Sequence, residues 1–386
     1  MSDITVTVQA ITDIVPHPNA DRLEIAKILG TQTIIGKGQF QRGDLVVYFP
    51  PDICLPADVS AQLGVDKYLK TALFRGEKFP CKVAACRLRG VPSYGFVAAL
   101  PDLPGLHPDY DLTEHYQAAK YEPPPRTHRS YGGGTGEVWG GLAPEPINFH
   151  HYTDIQNHWK YHRAMPAGTP VRVTEKIHGT NSRVALLKVD DEWNFYCGSH
   201  KRCRRQYVPG EYQIGYDAET HEAHQVPVES VYWSPLHLPG VMDLLTHLCA
   251  EQNDVIIFGE LYGPGVQDMD YGVPAGEIGW RVYDISVNGR YLGWVEVSNL
   301  CCLFKVETVP VLYTGPFDPD RLDEWTNGPT TVAAAEALKT KFKGREGCVI
   351  TPLIETHSDY LGGRLILKSV SADYRDRKGA SDEGEL

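Results

Sequence analysis

The chain has 386 residues, 42% apolar and 22% charged, which provides length and apolar surface for two or three cores and excludes disorder as the main state. Its longest uncharged apolar runs, such as Val255–Phe258, fall far short of the roughly 20 residues a spanning helix needs, and the opening MSDITVTVQA lacks a basic start leading into an apolar stretch, so a cytoplasmic protein with no membrane partner is expected. The 37 basic and 49 acidic side chains, a net charge of −12, argue against indiscriminate coating of nucleic acid but leave room for a local basic groove.

Short β-like runs come first: Ile4–Ile11, Leu23–Ile28, Thr33–Ile35, Leu45–Phe49, Lys82–Leu88 and Gly95–Ala99, punctuated by Gly, Pro and Asp. They predict a small barrel over residues 1–110. Charges balance there at 11 of each sign through Tyr110, so all of the net acidity lies downstream. Residues 111–146 are expected to link two domains, because Tyr121–Pro146 sets three prolines before a glycine cluster and loses apolar periodicity. The GGGTG within it is not followed by Lys-Ser or Lys-Thr and so does not make a phosphate loop.

Residues 147–386 have a mixed pattern. Val171–Glu175, Arg183–Val189, Val255–Leu261, Trp280–Val287, Cys348–Leu353 and Arg364–Val370 predict strands, and Val241–Gln252 and Thr331–Phe342 predict helices. Asn288-Gly289, between two apolar runs, predicts a two-residue hairpin turn. Antiparallel sheets with flanking helices follow, an α+β chain rather than a doubly wound one. Nine cysteines with no C-x-x-C pair fit reduced, mostly buried thiols rather than a disulfide framework or a zinc ribbon.

Lys176 stands at the exit of a β-run, immediately before a His-Gly-Thr-Asn turn, in EKIHGTN. Downstream come the basic SHKRCRR (Ser199–Arg205), then IFGELYGPGVQDMDYG (Ile257–Gly272), WRVYDI, REGCVITP and RLILKSV. In this order, over about residues 148–374, these motifs resemble the covalent nucleotidyltransferase superfamily, and within it the nick-sealing RNA ligase 2-like ATP-dependent RNA ligases. The Pro16–Gly30 segment, PHPNADRLEIAKILG, looks like the opening of OB-type domains that bind tRNA. An OB-like domain in front, with only a short tail after Lys368, is most similar to the Deinococcus-type branch of that family. The resemblance implies an N-terminal OB-like β-barrel followed by a nucleotidyltransferase domain of the ATP-grasp-like ligase kind.

It also implies roles for individual residues. Lys176 would attack the α-phosphate of ATP and carry AMP, which requires a free amine that lysine can supply and arginine cannot. Lys368 would stabilise charge developing at that phosphate. Glu175 and Ile177 would contact adenine, partly through backbone, and Tyr283 would stack on it. Arg202 would engage the nucleotide or an RNA 5′-phosphate. Glu260 would reach the ribose or metal-bound water, and Glu346 would hold Mg2+ or Mn2+, with Glu260 as a second metal residue. His178 and Asn181 would act in later steps on RNA. Arg204 and Arg205 suit backbone contacts, while Asp284 fits a hairpin acid equally well. One departure stands out: the phage relatives end in K-x-K, but here Lys368 is followed by Ser369 and Val370, leaving Arg364, Arg375 or Lys378 as substitutes.

Two histidine patterns carry less. His150, His151, His158 and His162 lack a third ligand at metal-site spacing, and His221-Glu222-Ala223-His224 is one residue too short for the zinc-protease pattern. The expected function is ATP-dependent sealing of RNA ends through lysyl-AMP. The expected partner is RNA, as a nicked duplex or broken strand, with DNA-containing duplexes as an alternative and no obligate protein partner. The rivals are a DNA ligase or capping enzyme, whose motif usually reads K-x-D-G and whose OB domain follows, and a non-catalytic tRNA- or RNA-binding protein. The basic residues Lys176, Lys201, Arg202, Arg204, Arg205 and Lys368 sit on motif segments, which predicts a narrow basic cleft whose affinity falls with salt.

Overall fold

The computed structural model describes residues 4–121, 141–216 and 223–375. The GGGTG run, Lys378 and the first two residues of the His221–His224 pattern lie outside them. Of the described residues, 4–121, 154–166 and 366–375 form one unit, and 141–153 with 167–365 form the other.

The first unit is built on a nearly closed sheet of β1 (Thr7–Pro16), β2 (Leu23–Ile28), β3 (Thr31–Gly36), β4 (Leu45–Phe49) and β5 (Phe96–Ala98), in the order β5-β4-β1-β2-β3. A register shift between Ile11 and Asp13 lets β1 pair with β4 over Thr7–Ala10 and with β2 from Ile11 onward. Such an irregularity bends a strand, which a barrel sheet needs in order to curl. Strand β4 reads LVVYF without alternation because it is buried on both faces. Val47 and Phe49 join one cluster with Val8 and Leu112, while Val46 and Tyr48 join another with Ile28, Ile35 and Val97. The expected small barrel is present.

Residues 109–121, of which the expected linker takes 111 onward, return to this unit. Leu112 donates from its backbone N to Val6, Val8 donates to Tyr110, and Ala119–Lys120 pairs with Ile53–Cys54. Residues 154–166 pack there too: the Trp159 ring meets Tyr48 edge-on at 5.9 Å, and Gly30 N donates to Trp159 O. Beside them, burial and the neighbouring His162 pull the His158 imidazole down to about 4. The unfolded chain therefore binds a proton at His158 between pH 6.5 and 4 that the folded chain refuses, so stability is lost as pH falls through that window. Equilibrium denaturation of His158→Asn should show a flatter pH dependence than wild type there, the difference amounting to about 3 kcal/mol. An unchanged slope would count against it.

Among the described residues the second unit is built on strands of two main sheets, beside two two-stranded ones. The larger includes β7 (Thr180–Val189), β8 (Glu192–Ser199), β9 (Val255–Tyr262) and β10 (Gly279–Val287), and β6 (Pro170–Lys176) in the smaller sheet lies between β11 (Val311–Pro316) and β12 (Gly347–Pro352). The predicted strands form except Arg364–Val370, which splits into Gly363–Arg364, paired with His357–Ser358, and Leu367–Val370, paired with Gln156–Asn157. Asn288 and Gly289 have φ of 50° and 77° between the paired Val287 and Arg290, as a mirror-image hairpin turn requires. Helices α1 (Val241–Cys249) and α2 (Trp294–Phe304) pack on one face of the larger sheet through Val184, Ile257, Leu261, Trp280 and Val282. Because strand side chains alternate, Asn181, Arg183, Phe258 and Glu260 stand on the opposite face.

The predicted helix Thr331–Phe342 does not form. Its alanine-rich composition favours helix, but its amides are taken by carboxylates from other elements. Thr331 N donates to Glu175 Oε2 at 2.7 Å, and Lys339 N and Thr340 N donate to Asp270 Oδ2 at 2.9 and 3.1 Å. Among the described residues no helix is long and apolar enough to cross a membrane.

Candidate functional site

Lys176 is the last residue of β6, and the turn Ile177-His178-Gly179 carries the chain from the smaller sheet into β7 of the larger one. The turn has no room for a side chain at its end, since a Cβ on Gly179 would lie 2.0 Å from Leu261 O. Across the smaller sheet Lys176 pairs with Gly347, which brings the preceding Glu346 beside it. The Lys176 Nζ lies 2.5 Å from Glu346 Oε1.

Glu346 is 2% exposed, and among the described residues its second oxygen accepts no hydrogen bond. Burial opposes its ionisation, but Lys176 and His178 outweigh that and hold the carboxyl below its ordinary value. His178 Nδ1 stands 3.7 Å from Glu346 Oε2, and its Nε2 is 2.7 Å from Asp268 Oδ1. Burial lowers the His178 pKa, yet those two carboxylates win and raise it. The backbone of the turn is fixed by loop 263–272: His178 N donates to Tyr271 Oη at 2.7 Å, and Gln267 Nε2 donates to Gly179 O at 3.2 Å.

Glu260 pairs with Asn181 across β7 and β9. Burial pushes its carboxyl up to about 8 against the pull of Lys176, with the Glu346 charge adding to the rise. On β10 a bulge opposite Phe258 and Gly259 leaves Tyr283 as the extra residue, between Val282 and Asp284. A bulge re-aims a side chain, and here the Tyr283 hydroxyl accepts a hydrogen bond from Asn181 Nδ2 while its backbone oxygen accepts from Arg172 Nη2 at 3.1 Å. Asp284 is a buried acid, 2.9 Å from both Tyr152 Oη and Arg364 Nη2. Asp284 thus lies on the strand that enters the Asn288-Gly289 hairpin, with its carboxylate enclosed by Tyr152 and Arg364.

Arg202 is exposed in the turn that follows Ser199, and Ser199 pairs with Ser182 near the start of β7, so its loop stands at the same sheet end as Asn181, Glu260 and Tyr283. Arg204 lies over the Tyr232 ring, and Arg205 Nε donates to Leu142 O. Ile177 is buried, and the Glu175 carboxylate is enclosed, accepting from the Thr330 and Thr331 hydroxyls at 2.5 and 2.6 Å. Lys368, 7% exposed, is on Leu367–Val370, which pairs in parallel with Gln156–Asn157 in the other unit. Among the three substitutes for the missing lysine, Arg364 is engaged twice with Glu355 as well as with Asp284.

The structure thus joins Lys176, His178, Glu260 and Glu346 into one cluster, with Asn181 and Tyr283 beside Glu260. It adds Gln267, Asp268 and Tyr271, which the motif IFGELYGPGVQDMDYG contained without assigning them roles. Among the described residues no three His, Cys, Asp or Glu side chains stand ready to cage a metal. The two carboxylates Glu260 and Glu346, one with a buried unbonded oxygen, fit a hard divalent cation that fills its remaining positions with water and phosphate oxygens.

The model of the RNA ligase family matches residues 169–370, and that of an OB-fold domain matches residues 5–100. No curated protein gives a match. Solved structures of Naegleria gruberi RNA ligase are similar in fold. One mutant with ATP and Mn has a TM-score of 0.68 at 20% identity, covering 96% of this chain and 98% of that one. A mutant with AMP and Mn reaches 0.69 at 21%, covering 97% and 98%, and the enzyme with PPi reaches 0.67 at 21%, covering 96% and 98%.

Proposed function

The chain belongs to the RNA ligase family, and from that premise we propose that it joins a 3′-hydroxyl to a 5′-phosphate in broken RNA, using ATP, through AMP held covalently on Lys176. The observation that carries the reading is a lysine amine 2.5 Å from a buried carboxylate in a cluster with a second carboxylate and a histidine. A lysine attacks only as the free amine, so its ion pair with Glu346 has to be given up before the α-phosphorus is reached. The Lys176 nitrogen then bonds to phosphorus as pyrophosphate leaves. In the next transfer an RNA 5′-phosphate oxygen displaces Lys176 from AMP, and in the last the 3′-hydroxyl displaces AMP.

In this reading Tyr283, its hydroxyl tied by Asn181, offers its ring to adenine, while Ile177 and the backbone at Glu175 line the base. Arg202, exposed on its turn, is free to meet a phosphate, and Lys368 supplies positive charge at the α-phosphate. Glu260 and Glu346 would hold Mg2+ or Mn2+, which when bound offsets charge on the triphosphate and the leaving pyrophosphate. The Naegleria structures with ATP and Mn are in keeping with that choice. Residues 1–110 would bind RNA and 147–386 would carry out the transfers, the arrangement of the Deinococcus-type branch, acting on nicks in duplex RNA or RNA–DNA hybrids.

Incubation with α-labelled ATP and magnesium, followed by denaturation, should leave label on the chain. An unlabelled chain would rule the reading out. Glu346→Gln keeps the shape of the side chain but removes its charge, and should slow labelling by about 100-fold or more while unfolding stays cooperative, at a temperature lowered by the lost pairing with Lys176. Labelling at the wild-type rate would show that the carboxylate has no part in it.

A further inference from the structure

Between β4 and β5 the barrel sheet of the first unit is interrupted by residues 50–95, which hold helix Ala57–Gln62, the hairpin Lys70–Phe74/Glu77–Lys82 and a smaller hairpin, Cys86–Leu88/Val91–Ser93. Charge is segregated onto this insertion. It carries 7 basic and 4 acidic residues, whereas the rest of the chain through Tyr110 carries 4 basic and 7 acidic. Lys82 is paired with Asp52 at 2.7 Å, and Arg87 is paired with Asp373. Lys67, Lys70, Arg75 and Lys78 are exposed.

Aromatic surface accompanies these cations. Tyr68 is 73% exposed with Lys67 Nζ 5.2 Å from its ring centre, and Arg75 lies 5.0 Å from the Phe74 ring. Between the larger hairpin and the helix is an open cavity of about 760 Å³, lined by Phe74, Phe79 and Pro80 and edged by Lys67 and Arg75 with Asp66 and Glu77. Cations for phosphate oxygens next to aromatic surface for a base are the two requirements of a single-strand site, and the cavity is of the size that small ligands occupy. The two carboxylates repel phosphate but accept from the exocyclic amines of bases, which turns the base edge, not the backbone, toward them.

Resting on the RNA ligase reading, we propose that this insertion is an RNA-binding site in its own right: the cavity takes an unpaired base, and Lys67 and Arg75 at its rim hold the flanking phosphates. A neutral barrel in an acidic chain thereby gains a local grip on the strand.

The test uses the full chain and a nicked RNA duplex with an unpaired extension, read by fluorescence anisotropy from roughly 50 to 200 mM KCl. The double variant Lys67→Ala/Arg75→Ala removes the two cations at the cavity rim, both exposed and outside the Lys176 site. It should bind about tenfold more weakly at the low-salt end, and its log–log salt slope should be shallower by about 1.5. Covalent AMP labelling should match wild type. Equal affinity and equal slope in the two proteins would overturn the proposal and leave the cavity to another occupant, such as an acidic polypeptide. If neither protein takes label, the ligase reading falls, while the binding comparison still decides this one.

Discussion

Lys176→Ala leaves no covalent AMP on the denatured chain, a loss of about 10⁴-fold or more in the rate of labelling. Among the described residues Lys176 is the lysine joined to the Glu346–His178 cluster, and no neighbouring side chain can replace a bond from its nitrogen to phosphorus. Lys176→Arg is the discriminating partner. It preserves a positive charge opposite Glu346 but stays protonated, so it should be as unreactive as alanine. Stability should separate the two: alanine leaves the buried Glu346 carboxylate uncompensated, a cost of about 2–3 kcal/mol, whereas arginine retains most of the pairing. Sealing of an RNA end that already carries AMP should survive both changes, because the last transfer needs no nucleophilic lysine. Equal labelling of wild type and Lys176→Ala would place the covalent step elsewhere.

The cluster around Lys176 was legible in part, and the division has a physical cause. Lys176, Glu260 and Glu346 each stand at the end or start of an apolar run, where a strand delivers a side chain to a sheet edge, so position and chemistry could be read together. The pairing of Asp268 with His178 could not, because it depends on how a loop folds back across 90 residues. The same limit applies to Tyr283: its aromatic character is visible in WRVYDI, but the bulge that sets it between Val282 and Asp284 belongs to the register with β9. The enclosure of Asp284 by Tyr152 and Arg364, 132 and 80 residues away in sequence, likewise has no local signal in WRVYDI. The failed helix at Thr331–Phe342 is the clearest case. Local composition favoured helix, and two buried carboxylates, Glu175 and Asp270, redirected the amides.

Arg183→Ala should destabilise the second unit by about 3–5 kcal/mol, the largest effect on stability expected of a residue outside the Lys176 cluster. Arg183 was legible only as a strand residue, yet it is fully buried and uses all three guanidinium nitrogens: Nε donates to Ser199 O at 2.8 Å, Nη1 to Phe149 O at 2.6 Å and Nη2 to Glu145 Oε2 at 2.9 Å. Its planar group also lies 4.1 Å from the Phe149 ring. Burial pulls its pKa down, but Glu145 opposes that shift. Removing the side chain opens a cavity and takes the Arg183 donors from two carbonyls and from Glu145, whose other oxygen stays 2.8 Å from His151 Nε2. Arg183→Met refills most of the volume without the donors, so it should recover part of the loss but not all of it. Arg183→Lys supplies one charged donor where a planar fork is needed, and should resemble methionine more than wild type. Because Ser199 begins the turn that carries Arg202, loss of the Arg183 bond should also loosen that turn. Chemical denaturation should therefore rank the variants wild type, then methionine and lysine together, then alanine. Lysine equal to wild type would mean that Glu145 alone, through charge, accounts for the site.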